Sequence, residues 1–290
     1  MDKYKEIIPE FKKFQKKIKT EQPHDIRINN LKASKETVKK SLNKEEIKFE
    51  ERRWNEKFLK LNSNPSKTIA HWLGEFYIQE SSSGIPPLAL KPKPQDHILD
   101  MCAAPGSKTT QISAMLKNRG NIIANDINSN RIRALLSNLY RLGCLNTQVT
   151  KKDARNFSED HKFDKILLDA PCSGEGNVRN QKDLLNGAEQ HEIEKISNLQ
   201  EKLLEKAFKL CKEGGTIIYS TCTFSPKENE LIVSKFLEKG KLEKPKFKFD
   251  HCPGITEWKN ETLDEELKKC VRVYPHQLDS GGIFVAKFKK

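Results

Sequence analysis

The spacing of apolar positions changes several times along the chain. Tyr4, Ile7, Ile8, Phe11, Phe14 and Ile18 recur at helical intervals with lysines between them. Pro9 interrupts this run, so the spacing predicts a kinked helix or two short ones with one apolar packing face. Further runs predict a strand over Asp25 to Leu31 and a helix over Ser34 to Leu42 with Ser34 as its N-cap. Strands over Phe49 to Trp54 and Phe58 to Leu61 follow, then a helix over Ser66 to Phe76. This β-α-β-β-α order fits a small α+β domain of ferredoxin/RRM-like type, although the aromatic RNP1 signature is missing.

Ser81 to Pro94, SSSGIPPLALKPKP, is rich in serine and proline and reads as a joint. The expected division is an N-terminal helical segment at 1–22, the α+β domain and its linker at 23–94, and a larger domain at 95–290. In the last, strand, loop and helix alternate. His97 to Asp100, Asn121 to Ala124, Gln148 to Thr150, Phe163 to Asp169 and Thr216 to Thr223 read as strands. Helices are expected from Ser107 to Leu116 and from Ile193 to Leu210, with Cys211 at the end of the second and Gly214 and Gly215 closing it. The alternation is that of a Rossmann-like α/β domain, a mostly parallel sheet with helices on both faces.

Charge and cysteine usage narrow the functional classes. The 290 residues include 53 Lys and Arg against 40 Asp and Glu, a net charge of +13, and the first sixty residues hold 18 of the cations against 11 acids. Such a balance suits a chain that meets a polyanion, most simply nucleic acid, and a solvated lysine surface would give the same count. Seven cysteines, an odd number with no CxxC pair, speak against a disulfide framework or a zinc site and for a reducing, cytoplasmic setting. No apolar run approaches the roughly 18 residues of a membrane span. No metal and no membrane partner are expected, and a monomer is.

The chemistry concentrates at strand ends. After Asp100 comes MCAAPGSKTT and then a helix, the usual cradle of a nucleotide-like ligand. The loop is neither GxGxxG nor a P-loop, since Gly106 stands alone before Lys108 and Thr109. A nucleoside lacking a pyrophosphate fits better, with S-adenosylmethionine the leading candidate. Asp126, at the end of the next strand, is placed to read ribose hydroxyls or to serve as a turn acid. Asp153, at a third strand end, is equally a candidate for the adenine amino group and a solvated turn acid.

Two apolar strands run into loops that each carry a thiol: LLDAPCSGEG with Asp169 and Cys172, and YSTCT with Cys222. Amino-methyltransferases place an aromatic ring where Cys172 stands. A thiol there suits methylation of a pyrimidine carbon instead. Addition of a thiolate at carbon 6 turns the ring into an enamine, and carbon 5 can then attack a methyl sulfonium.

These motifs, together with YIQESSSGIPPLAL, NDINSNR, PKENE and RVYPHQLDSGGIFVAKF, resemble the Sun/Nop (RsmB-like) family of S-adenosylmethionine-dependent RNA cytosine-5 methyltransferases from about Asp25 to the C-terminus. The resemblance implies a class I methyltransferase domain and RNA as partner. It implies Cys222 as nucleophile, Cys172 as the thiol that helps release the product, and Asp169 as a hydrogen-bond partner of the cytosine ring. It further implies a cofactor pocket lined by Cys102, Ala103, Ala104, Pro105, Gly106, Ser107, Lys108, Asp126, Arg131, Asp153 and Asp169. Ser107 replaces the second glycine of the commoner PGGKT loop, a variant familiar among tRNA-modifying members. The sequence shows neither the long helical N-terminal extension of the bacterial ribosomal-RNA enzymes nor an obvious inserted PUA-type domain, and this tilts the expected substrate toward tRNA. An RNA-binding assembly factor without catalysis is the alternative from another class. The acids of Pro226 to Glu230 are expected to favour a helix N-terminus more than to shape the loop, and His276 is expected to be structural.

Overall fold

The computed structural model describes all 290 residues. A short 3-10 turn at Asp2–Tyr4 and helix α1 (Phe11–Ile18) flank Pro9. Next come β1 (His24–Ile28), α2 (Lys35–Lys44), β2 (Phe49–Glu51), β3 (Phe58–Leu61), α3 (Ile69–Trp72) and β4 (Phe76–Ile78). The Ser34 hydroxyl accepts the Thr37 N–H, so the expected N-cap is in place. The predicted helix at Ser66 to Phe76 is shorter than expected. Gly74, at φ +74°, ends it, and Phe76 opens a strand. The four strands form an antiparallel sheet in the order β2-β3-β1-β4. Val38 and Leu42 of α2 and Ala70 of α3 cover it, packing on Ile26, Ile28, Leu59 and Phe76.

The Ser/Pro-rich stretch is not a loose joint. It holds helix α4 (Ile85–Leu90), whose Pro86 and Pro87 sit in the first turn, where a missing N–H costs nothing. Ile85, Ala89 and Leu90 are buried against the main sheet. The chain continues through β5 (His97–Asp100), α5 (Ser107–Leu116), β6 (Asn121–Asp126), α6 (Ser129–Leu142), β7 (Thr147–Lys151), β8 (Phe163–Asp169), α7 (Gln190–Leu210), β9 (Cys211–Thr221) and α8 (Glu230–Ser234). It ends with β10 (Lys241–Leu242), β11 (Cys252–Pro253), a small hairpin β12 (Glu257–Trp258) and β13 (Glu261–Thr262), β14 (Val271–Val273), α9 (Pro275–Leu278) and β15 (Ile283–Lys289). Cys211 opens β9 and does not close α7, and Gly214 and Gly215 lie within that strand.

The main sheet runs β11-β14-β15-β9-β8-β5-β6-β7, with β10 on β15. The five strands from β5 to β9 are mutually parallel and β15 runs antiparallel beside β9. Alternate residues of each strand feed two cores. Leu99, Ile166, Leu168 and Tyr219 meet α7 and α8, whereas Ile98, Leu167 and Ile218 meet α4 and α5. Strand order reverses at β5, between β6 and β8, and the carboxyl ends there form the crevice where such sheets bind ligands.

The N-terminal segment closes over this half. Tyr4, Ile8, Phe14 and Ile18 pack with Val178, Phe224, Trp258 and Tyr274. Buried Arg27 of β1 donates to the Ser107 carbonyl at 2.7 Å and to the Thr110 hydroxyl at 3.0 Å, tying the small sheet to the first turn of α5.

Candidate active site

A cavity of about 460 Å³ opens at the carboxyl edge of β5, β8 and β9. Its floor is the 102–105 loop, where small side chains leave the backbone accessible. Gly106 adopts φ +103°, a backbone conformation that L side chains rarely take, and a Cβ there would also press on the tip of Leu135 at 2.9 Å, so glycine suits this turn against α6. Asp100 lines the cavity. Its Oδ2 accepts the Thr109 hydroxyl at 2.7 Å, and its Oδ1 is buried without a partner. An acceptor left bare in this way suits an ammonium, and the flat, small-residue wall beside it suits a nucleoside. These residues fit S-adenosylmethionine.

Of the residues expected at the pocket, Cys102, Ala103, Ala104, Pro105, Ser107, Lys108, Arg131, Asp169 and Cys222 line this cavity. Gly106 stands behind the wall. Asp126 sits behind Ala104, accepting its N–H at 3.2 Å and the Asn128 N–H at 2.9 Å, and pairs in charge with the Arg131 guanidinium at 3.5 Å. Asp153 is outside the cavity. It caps a 3-10 turn and holds Arg155 through a bidentate pair. Sequence reasoning missed Asp100, although the strand ending in an acid was visible. It also missed Tyr77, Gln79 and Glu80 from the N-terminal sheet and its exit, and Asn177.

Buried Lys108 pairs with half-buried Asp169, Nζ to Oδ2 at 2.6 Å, and Asp169 Oδ1 accepts the Ser220 hydroxyl at 2.8 Å. Burial opposes the Lys108 charge, but the neighbouring carboxylate outweighs it and raises the lysine's pKa. The thiols of Cys172 and Cys222 lie 3.3 Å apart and are not bonded as a disulfide. Asn177 Nδ2 donates to Cys222 Sγ at 3.4 Å. The contact therefore shifts the two thiols in opposite directions. The Cys172 S–H favours a thiolate on Cys222, and this contact, joined by Lys108 and Asn177, outweighs burial and the Asp169 carboxylate, so Cys222 is shifted down. Cys172 is pushed up by the same contact and by its burial. Cys222 faces the cofactor cavity, whereas Cys172 opens on a second, wider groove along α7.

The PKENE acids shape the loops more than they favour a helix. Glu228 is fully buried and accepts from Ser173 N at 2.8 Å, Ser173 Oγ at 2.6 Å and Gln200 Nε2 at 3.2 Å. Gln200 also donates to the Pro171 carbonyl at 2.7 Å. Glu230 makes a buried bidentate pair with Arg272, at 2.7 and 2.5 Å. His276 stacks on Tyr274 away from the cavity.

The sheet order, its antiparallel β15 and the cradle after β5 define a class I methyltransferase. The family model described as 16S rRNA methyltransferase RsmB/F matches residues 87–289, and the chain belongs to this Sun/Nop family of S-adenosylmethionine-dependent RNA cytosine-5 methyltransferases. A tRNA (cytosine(49)-C(5))-methyltransferase of Pyrococcus abyssi is 40% identical over 91% of this chain and 87% of its own length. The ribosomal RNA small subunit methyltransferase F of Shewanella loihica is 38% identical over 91% of this chain, which spans only 56% of that relative. Among solved structures, a methyltransferase homolog protein from Pyrococcus horikoshii superposes with a TM-score of 0.87 at 34% identity, covering 99% of this chain and 93% of that one. NSun6 from Pyrococcus horikoshii, solved with SFG, superposes with a TM-score of 0.88 at 28% identity, covering 100% and 97%.

Proposed function

We propose that this protein methylates carbon 5 of a cytosine in RNA through a covalent adduct at Cys222, with tRNA as the substrate. The observation that carries the reading is the thiol pair, 3.3 Å between sulfurs, with the thiolate-favouring member on the wall of the cofactor cavity. S-adenosylmethionine held there supplies an electrophilic methyl group.

Cys222 adds as thiolate to carbon 6, and the electron pair of the 5,6 double bond becomes available at carbon 5. Asp169 keeps lone pairs free beyond those given to Lys108 and Ser220, and these accept the exocyclic amine of the base. Lys108 stands beside the same carboxylate and offers its remaining N–H groups to the polarised ring. Once Cys222 is bonded to carbon 6, the Cys172 S–H loses the thiolate it faced and gives its proton to solvent. After carbon 5 is alkylated, the carbon 5 proton passes to the Cys172 thiolate, the double bond returns, and Cys222 departs as thiolate. The proton so held on Cys172 restores the resting pair.

The tRNA (cytosine(49)-C(5))-methyltransferase of Pyrococcus abyssi, 40% identical over 91% of this chain, supports tRNA as the substrate. The strand order of the N-terminal sheet supports its ferredoxin-like reading. Transfer of labelled methyl to total RNA, sized on a gel and mapped by bisulfite sequencing, tests the proposal. Label in the small-RNA band at a single cytosine is expected. Label confined to ribosomal RNA redirects the substrate, and none in any RNA overturns the activity.

A further inference from the structure

Most large apolar side chains left exposed on this protein gather at one seam, where the N-terminal sheet meets α6. Ile69, Trp72 and Leu73 come from α3 and its exit, and Tyr140 and Leu145 from the end of α6 and the turn beyond. The seam is rigid. Buried Asn29 donates to the carbonyls of both Gly74 and Leu142, at 2.8 and 2.9 Å, and Arg141 reaches the His71 carbonyl at 2.8 Å. Yet Trp72 is 82% exposed and Tyr140 81%, on either side of that staple. Clustered exposed apolar surface of this kind marks an interaction site.

The charges around it say which kind. Lys67, Lys117, Arg119 and Arg133 are exposed on the surrounding turns and helices and none makes an ion pair, while Lys32 donates to the Leu73 carbonyl at 3.1 Å. By contrast, Lys35 and Lys39 on the adjacent face of α2 are both tied to Glu51. The nearby acids are already engaged, Glu45 by the Ile69 N–H and Glu75 by the Ser41 hydroxyl. Protein–protein interfaces are depleted in lysine, whereas aromatic rings among free cations are how single-stranded nucleic acid is held. The seam is also continuous with the cavity. Asn138, on the same stretch of α6, donates to the Pro105 carbonyl at 2.9 Å and to the Tyr77 hydroxyl at 3.4 Å, and both of those residues line it.

We propose that this seam is an RNA-docking surface, on which unpaired bases of the substrate stack on Trp72 and Tyr140 while the surrounding lysines and arginines meet its phosphates. This rests on the RNA-methylation reading and adds to it a contact outside the catalytic cavity.

The test uses the full chain with bulk tRNA and with a short unstructured RNA oligomer. Trp258 is buried and Trp54 half-buried, so fluorescence quenching by iodide reports chiefly on Trp72. RNA should quench this emission and shield it from iodide, and the change should vanish in Trp72→Phe. Trp72→Ala and Tyr140→Ala should each weaken RNA binding about 5-fold or more. Affinity for S-adenosylmethionine and the unfolding temperature should stay unchanged. Unaltered RNA affinity in the double variant overturns the proposal and leaves the methylation reading standing. So does self-association of the wild-type chain, by light scattering, that the double variant abolishes, since the seam is then a protein contact. A wild-type chain that binds no RNA overturns both.

Discussion

The hydroxyls of Ser173 and Thr223, the residues that follow the two thiols in the chain, lie 2.7 Å apart, and both reach the buried carboxylate of Glu228. One acid thus clamps the β8 and β9 loops together and sets the distance between Cys172 and Cys222. Glu228→Ala leaves the Ser173 N–H without its acceptor and Gln200 with only its bond to the Pro171 carbonyl. It should cost about 1–3 kcal/mol of stability. The loops should also lose their register. A fall in turnover of about tenfold or more is expected with cofactor affinity unchanged, read by thermal unfolding, single-turnover methylation and calorimetry. Equal loss of cofactor binding would show a general folding defect instead.

The two thiols should fail at different steps. Cys222→Ala lacks the thiol proposed to attack and should give neither product nor covalent RNA. Cys172→Ala should form the adduct, transfer the methyl group and then stall, leaving protein and RNA joined as a shifted band on a denaturing gel. That band should be absent from the double variant. Trapping by Cys222→Ala and not by Cys172→Ala would reverse the roles.

Asn177 offers the thiolate a hydrogen bond that Asn177→Ala removes. Loss of a donor to an anion disfavours the anion, so Cys222 should need a higher pH to ionise. The pH profile of Cys222 alkylation by iodoacetamide, measured in a Cys172→Ala background to isolate it, should move upward. Turnover near neutral pH should fall and partly recover in alkaline buffer. An unmoved profile would assign Asn177 to packing alone.

Burial pushes Asp100 up to about 7, against the Thr109 hydrogen bond that favours its charge. Its folded pKa thus exceeds its unfolded value, and the folded protein binds the extra proton between roughly pH 4 and 7. Stability from this group is present at low pH and lost as pH rises through about 7. Asp100→Asn should therefore raise the unfolding temperature relative to the parent at pH 8 more than at pH 5. A cofactor ammonium favours the ionised form, so binding near neutral pH should release a proton. Calorimetry in buffers of different ionisation enthalpy should detect it in the parent and not in Asp100→Asn.

Legibility in the sequence followed locality. The cradle at 102–108 and the two thiol loops were readable, because their chemistry is written in consecutive residues. Helix α4 was not, since its prolines look like a linker and only burial against β8 and β9 shows that they begin a helix. Strand β4 is three residues long and follows a helix in the same apolar run. The role of the PKENE acids was misjudged for a related reason. Their partners, Ser173 and Arg272, lie 55 and 42 residues away in the chain. Asn177 carries no signal of its own, because an asparagine in a Gly-rich loop reads as a turn residue.

Tyr4 donates to Glu175, three residues past Cys172, at 2.7 Å, and its ring rests on Phe224 and Trp258. A ribosome makes this tyrosine long before any of those partners exists. Through most of synthesis the lysine-studded apolar stripe of α1 has nowhere to dock, and the loop behind the first thiol lacks its support. A prematurely terminated product could carry both cysteines and the whole cofactor cradle and still have an unsupported loop. The loop behind the first thiol is braced by Tyr4 and, through it, by Trp258, residues far apart in the chain, so its support arrives late in synthesis.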